Sequence, residues 1–387
     1  MLLVTAFRVD VVMVQSREMS MTVARHPGTG KWCVRSSCPD SGWLVSVLCV
    51  ALVVVLGMGI VAIQRHQAPA SSVRTAKGST PRVGGQRPKN SVSAPQGAAD
   101  PPVPLGVYAG PGSPSSATAF ADAIGSRTPY ALDYLDDTSW QTISDPAWFL
   151  QRWSGSGFRM IWAIPMLPGT GGSMADGAAG DYNVDFATLA QNLIANGQES
   201  AILMPGWDPD ASGSTWSVST SAQASTYISF FQRIVSTMRA VPGARFQFAW
   251  DASGDCVIPP AAVYPGSSFV DSIATDAFDR GLGTVEGRWA AISQSTYGLD
   301  WFASFAAQQH KPLMLARWGL APVAASGGGD DPIFVDDLLS WARQEHVIAA
   351  VTWDYGLWAV TGGNFPRAAA ELRQVAAGAS DPSHSAT

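Results

Sequence analysis

From Leu105 onward, short apolar runs alternate with amphipathic stretches. Eight runs have strand length and strand composition: LGVYAG (105–110), YALDYL (130–135), RMIWAIPML (159–167), AILMPGW (201–207), FQFAWD (246–251), SIATDAF (272–278), PLMLARW (312–318) and VIAAVTWDY (347–355). Between them, apolar residues recur every three or four positions, most clearly at 223–241 (QASTYISFFQRIVSTMRAV), 299–310 and 332–346, with a final helix at 366–376. Strands and helices alternating in this way predict an α/β protein, a (β/α)₈ TIM barrel over 104–378. A doubly wound sheet is the competing arrangement. It would carry a Gly-rich phosphate turn after its first strand, and VYAGPGSPSS does not match GxGxxG.

The pattern before the barrel is different. Trp43–Ile63 (WLVSVLCVALVVVLGMGIVAI) has Ser46 as its one clearly polar residue. At about 1.5 Å per residue this run is long enough to cross a hydrocarbon core of roughly 30 Å, and it exceeds the 7–15 apolar residues of a signal peptide. A single transmembrane anchor at 43–63 is therefore expected, with cleavage after Ala70 as the secreted alternative. Residues 1–42 have no clear period and read as a tail, either cytoplasmic or upstream of the true start. Residues 64–103 are rich in Pro, Ser, Gly and basic residues and read as a disordered linker, with 379–387 a short tail.

Charge follows the same division. Residues 1–103 carry 11 Lys/Arg and 4 Asp/Glu, net +7, whereas 104–387 carry 13 and 26, net −13. An acidic barrel excludes nucleic acid, whose binding needs clustered basic residues. Basic residues flank both ends of the apolar span, so loop charge does not orient it.

A barrel of this type builds sites at the C-terminal ends of its strands. Those ends carry Trp207 with Asp208, Trp250 with Asp251, Asp276 with Phe278, Arg317 with Trp318, and Trp353 with Asp354; Trp216 follows in the fourth loop. Aromatic rings stack on the apolar faces of pyranoses and carboxylates accept from sugar hydroxyls, so the pattern points to a polysaccharide or oligosaccharide cleft. Because polysaccharides lie outside the cell membrane, the barrel is expected on the extracytoplasmic side.

Four segments also resemble glycoside hydrolase family 26, the β-mannanase family: ILMPGWDPDASGSTW (202–216), YPGSSFVDSIATDAFD (264–279), KPLMLARWGLAP (311–322) and GGGDDPIFVDDLLSWARQ (327–344). The resemblance implies a retaining glycosidase with two glutamates about 5–5.5 Å apart. Carried over residue by residue, the acid/base position is Asp208 and the nucleophile position is Arg317. The sixth-strand tyrosine of the family is Phe278, the arginine of the fourth-strand segment is Met204, and the asparagine after the acid/base is Pro209. An aspartate one methylene short costs about 10²-fold, but an arginine cannot attack an anomeric carbon or act as a base.

The expectation is thus a catalytically degenerate, glycan-binding member with substrate contacts from Trp207, Trp216, Trp250, Asp251, Asp276, Phe278, Trp318, Trp353 and Asp354. Two alternatives stand beside it. One is an active hydrolase using Asp208 with a base or nucleophile relocated to Asp251, Asp276 or Asp354. The other is an envelope scaffold whose cleft meets a protein. No cofactor or metal is expected: none of the five histidines falls at a strand end, and Cys33, Cys38, Cys49 and Cys256 are scattered. The Gly-rich loop 168–181 lacks the Walker lysine and reads as a lid or linker.

Overall fold

A computed structural model of the chain describes residues 102–378 except 255 and 282–283, and the backbone of three short segments nearer the N-terminus. The chain divides into two units, Met1–Val92 and Ser93–Thr387. In the second, all eight predicted runs are strands: β1 (Leu105–Tyr108), β2 (Tyr130–Tyr134), β3 (Arg159–Ile164), β4 (Ile202–Pro205), β5 (Gln247–Asp251), β6 (Ser272–Asp279), β7 (Leu313–Leu320) and β8 (Ala350–Trp353). They pair in parallel and in chain order, and β8 returns to β1 to close the barrel.

Helices follow seven of the strands among the described residues. They are α1 (Pro114–Ile124), α2 (Trp140–Ser144), α3 (Ala147–Trp153), α4 (Met174–Ala179), α5 (Asn183–Ala195), α6 (Ser221–Arg239), α7 (Val285–Ser293), α8 (Leu299–Gln308), α9 (Pro332–Gln344) and α10 (Pro366–Ala376). Between β5 and β6 the described residues make only a 3-10 turn at Pro260–Val263. There the outer face of β5 is covered by rings instead. Trp250 meets Tyr264 and Phe305 at 5.1 and 6.0 Å, and these two meet each other at 5.1 Å.

Period-two alternation sorts each strand into two cores. Leu132, Ile161, Ala163, Met204, Ala249, Ala274, Met314 and Ala316 fill the barrel interior, where small residues let eight strands close. Met160, Trp162, Leu203, Phe248, Trp250, Ile273 and Leu315 face the helices. The acidic pair Asp330–Asp331 fixes two helices at once. Asp331 caps α9 by accepting from the Ile333 and Phe334 N–H at 3.1 and 3.2 Å. Asp330 reaches the start of α10, accepting from the Arg367 N–H at 3.0 Å and the Ala368 N–H at 2.8 Å.

The predicted anchor 43–63 and tail 379–387 lie outside the described residues, as does the linker 64–103 up to residue 101. Among the described residues no helix is long and apolar enough to cross a membrane. In the stretch 1–42, where the sequence shows no period, Arg8–Asp10, Ser20–Arg25 and Trp32–Ser36 pair as a three-stranded antiparallel sheet.

Candidate active site

The mouth of the barrel is organised around one guanidinium. β7 would alternate strictly, Met314 and Ala316 inward, and so turn Arg317 outward. A β-bulge prevents this: Leu315 pairs with Thr275 and Arg317 with the next residue, Asp276, leaving Ala316 as the extra one. Bulges re-aim side chains in this way. Arg317 now faces the interior and Trp318 the helices.

Three carboxylates from three other strands converge on Arg317. Its Nε donates to Asp276 Oδ1 at 2.6 Å, and Nη2 donates to Asp251 Oδ2 at 2.7 Å and to Asp208 Oδ1 at 2.8 Å. Nη1 donates to the Tyr134 hydroxyl at 3.2 Å. The Arg317 side chain is 6% exposed and Asp251 0%, while Asp276 and Asp208 keep 17% and 23%. Asp276 and Asp208 are thus the members of the cluster that solvent reaches most.

Burial controls the protonation of these groups. It pushes the Asp276 carboxyl up to about 7, although Arg317 opposes the shift. Burial also raises Asp251 well above the carboxylate range against the same opposition. For Arg317 burial acts downward, but Asp208, Asp251 and Asp276 outweigh it and hold the guanidinium charged. Behind them Asp210 is fully buried, its Oδ1 accepting from the Ser253 N–H at 2.9 Å while Oδ2 has no partner. Burial brings its carboxyl to about 7.

Asp208 sits just past β4 with φ +48°, in the left-handed region that aspartate tolerates better than most residues. The loop around it is pinned at several points. The Tyr227 hydroxyl donates to the Gly206 carbonyl at 3.0 Å, the Trp216 indole N–H to the Trp207 carbonyl at 2.8 Å, and the Val257 N–H to the Asp210 carbonyl at 2.8 Å.

The aromatic residues divide between mouth and core. Trp207, Phe278 and Trp353 are half-buried at the rim. Trp207 meets Tyr134 edge-on at 5.1 Å, and Phe278 lies 6.3 Å from Trp353. Trp216, Trp250 and Trp318 are corrected: at 2%, 0% and 0% exposure they belong to the core outside the barrel and offer no ring face at the mouth. Asp354 is also turned aside. It accepts from the Thr361 N–H at 2.7 Å and hydroxyl at 2.6 Å, bracing its own loop. Met204 lies in the packed barrel interior.

Sequence reading missed Tyr134, Tyr108 and Asp210. Tyr134 was accessible to it, since Leu132 and Tyr134 share a face of β2 and its second strand ends there. Tyr108 joins the two sides of the rim, meeting Tyr134 at 5.3 Å and Trp353 at 4.3 Å. Among the described residues no group of His, Cys, Asp and Glu has a metal-binding arrangement.

No protein-family model matches the chain, and no curated protein sequence does. Solved structures do match. The YdhT protein from Bacillus subtilis superposes with a TM-score of 0.53 at 14% identity, over 70% of this chain and 85% of that one. Bacillus subtilis mannanase BCman gives 0.51 at 15% identity over 70% and 85%. A GH26 β-mannanase from Bacteroides ovatus gives 0.51 at 13% identity over 71% and 88%. The fold is that of the family 26 β-mannanases. Likeness at this identity concerns the family 26 backbone alone; it assigns no chemistry to Arg317 or its three carboxylates.

Proposed function

We propose that this protein is a family-26-like barrel that holds a polysaccharide at its mouth and does not cleave it by the retaining route. One observation carries the reading: Arg317, at the position the resemblance assigns to the nucleophile, is saturated by Asp208, Asp251 and Asp276. A covalent glycosyl-enzyme needs a free carboxylate there, aligned with a proton donor about 5–5.5 Å away. Here the acid/base position, Asp208, is paired to a cation. Phe278 supplies no hydroxyl to orient a nucleophile. What remains is a rim of Trp207, Phe278, Trp353 and Tyr108 beside the accessible oxygens of Asp208 and Asp276, the combination that binds sugars. On this reading 43–63 anchors the chain in the cell membrane, with the barrel on the extracytoplasmic side.

A second reading, an active hydrolase, draws on Asp276, whose carboxyl near 7 suits a general acid. The inverting route needs two carboxyls about 6.5–9.5 Å apart with water between. Asp208, Asp251 and Asp276 all bond the one guanidinium of Arg317, so a cation stands between them where the attacking water would have to be held. The favoured reading is therefore binding.

Product analysis of the purified protein with mannans, glucans and xylans, beside an Asp208→Asn variant, separates the two. Retention on one polymer without new reducing ends is the expected result. Oligosaccharides that disappear in Asp208→Asn would establish hydrolysis and sink the binding reading.

A further inference from the structure

Each solvent-reached carboxylate of the Arg317 cluster commits one oxygen to the guanidinium and keeps the other. Asp208 and Asp276 both accept through Oδ1, at 2.8 and 2.6 Å, and neither Oδ2 has a partner among the described residues. Behind them Oδ1 of the fully buried Asp251 is unpartnered as well. A buried acceptor left without a donor is rare. The guanidinium cannot supply the missing donors, because its Nε and both Nη2 hydrogens already serve these carboxylates and Nη1 serves Tyr134. The cluster is therefore rich in acceptors and short of donors.

Aromatic rings surround it. Trp207 meets Tyr134 at 5.1 Å, Tyr134 meets Trp353 at 6.2 Å, and Trp353 meets Phe278 at 6.3 Å. Ring faces are the negative side of an aromatic quadrupole and attract cations. The charge of the whole region has the same sign, since residues 104–387 carry 13 Lys/Arg against 26 Asp/Glu. Such an excess draws cations from a distance.

The protonation of the cluster fits this. Burial favours the neutral form of Asp251, and Asp208 pairs with the guanidinium, so Asp276 decides the sign of the mouth. Its carboxyl, near 7, faces Arg317, Asp208, Asp210, Asp251 and the Tyr134 hydroxyl. An incoming cation favours the ionised carboxylate and displaces its proton.

We propose that the Arg317 cluster receives the protonated amine of an amino sugar, as in a β-1,4-linked glucosamine chain, in preference to a neutral sugar. The proposal rests on the glycan-binding reading above and adds its ligand class. An ammonium brings three N–H donors and a charge. Oδ2 of Asp208 and Oδ2 of Asp276 accept two of the donors, and the ring faces of Trp207 and Trp353 meet the charge. A sugar hydroxyl in the same place brings one donor and no charge.

Calorimetric titration of the full-length protein at about pH 6, below the Asp276 value, tests this with four probes. They are the glucosamine hexasaccharide, its N-acetyl counterpart, the β-1,4-linked mannose hexasaccharide and hexalysine. Buffers of different ionisation enthalpy count the protons released. The glucosamine chain should bind about ten-fold or more tighter than the N-acetyl and mannose chains, and tighter than hexalysine by a similar factor. Asp276→Asn keeps an oxygen for Arg317 and loses the charge. It should weaken the glucosamine chain about ten-fold and release fewer protons than the parent. A neutral hexasaccharide bound as tightly as the glucosamine chain overturns the proposal and leaves glycan binding standing. Hexalysine bound as tightly as the glucosamine chain also overturns it, because overall charge would then be the attraction. Equal proton release in Asp276→Asn and the parent removes Asp276 from the site and overturns it too. Failure to bind any of the three hexasaccharides overturns both this proposal and the glycan-binding reading.

Discussion

Arg317 Nη2 donates to Asp251 Oδ2 at 2.7 Å, and the Asp251 side chain has no solvent-exposed surface. Its other oxygen, Oδ1, has no partner, so this carboxylate relies on one cation for its compensation. Breaking a buried pair by removing one partner costs about 3–5 kcal/mol, because the remaining charge stays buried. Arg317→Met should lower stability by about that amount, seen as a shift of the urea midpoint at pH 8. A change under 1 kcal/mol would mean that the cluster is already neutral.

The same geometry predicts the outcome of restoring the family's nucleophile. Arg317→Glu would place a fourth carboxylate among Asp208, Asp251 and Asp276 with no cation between them. The expected result is no sugar release from any mannan and a melting temperature below that of the parent. Retaining cleavage by this single variant would show that Asp208 and Phe278 had not lost their roles together.

Much of this arrangement could be read from the chain before folding was considered. The eight strands were legible because each is a short apolar run between polar helices, and α10 because Pro366 opens it and its apolar positions recur every three or four residues. The convergence of Asp208, Asp251, Asp276 and Arg317 followed from their places at strand ends. The tryptophans were misplaced for a simple reason. Adjacent residues on a strand face opposite sides, so Trp250 and Asp251 cannot both line the mouth, nor can Arg317 and Trp318. Which member of the second pair turns inward is decided by the bulge at Ala316, and a local disruption of pairing leaves no mark in the apolar pattern.

That division makes a paired prediction. Trp318→Ala empties a fully buried core position and should cost about 3–5 kcal/mol of stability. Trp353→Ala removes a half-buried rim ring and should weaken oligosaccharide binding while costing less stability. Thermal melts and titrations of the two variants side by side are the check. Equal loss of stability in both would place Trp353 in the core with Trp318.

The first turn of α10 offers a test of the acidic pair. Asp330 accepts from the Arg367 and Ala368 N–H groups and has no other described role. Asp330→Ala should cost about 1 kcal/mol, within the usual 0.5–2 kcal/mol for a lost cap, and Asp330→Asn should recover most of it. Denaturant melts at neutral pH would measure both, and an Asn variant no better than Ala would remove capping as the cause.

The buried carboxyls give the protein a pH dependence opposite in sign to that of salt-bridged aspartates. Asp210 and Asp276 rest near 7 when folded, and burial raises Asp251 in the same direction, all above the value of about 3.9 in an unfolded chain. Between about pH 4 and 7 the folded state therefore binds more protons than the unfolded one. Stability should fall as pH rises through that window and level off above it. Asp210 is the cleanest place to test this, because its Oδ2 has no partner and its Oδ1 accepts from a backbone N–H that an amide oxygen can also satisfy. Asp210→Asn removes the charge without removing that bond. It should raise stability at pH 8 by roughly 2–4 kcal/mol, because an ionised carboxylate no longer has to be buried, and leave stability at pH 4.5 nearly unchanged. Urea melts at the two pH values decide it: an Asn variant with the same advantage at both would show that the gain comes from packing and not from a buried ionisation.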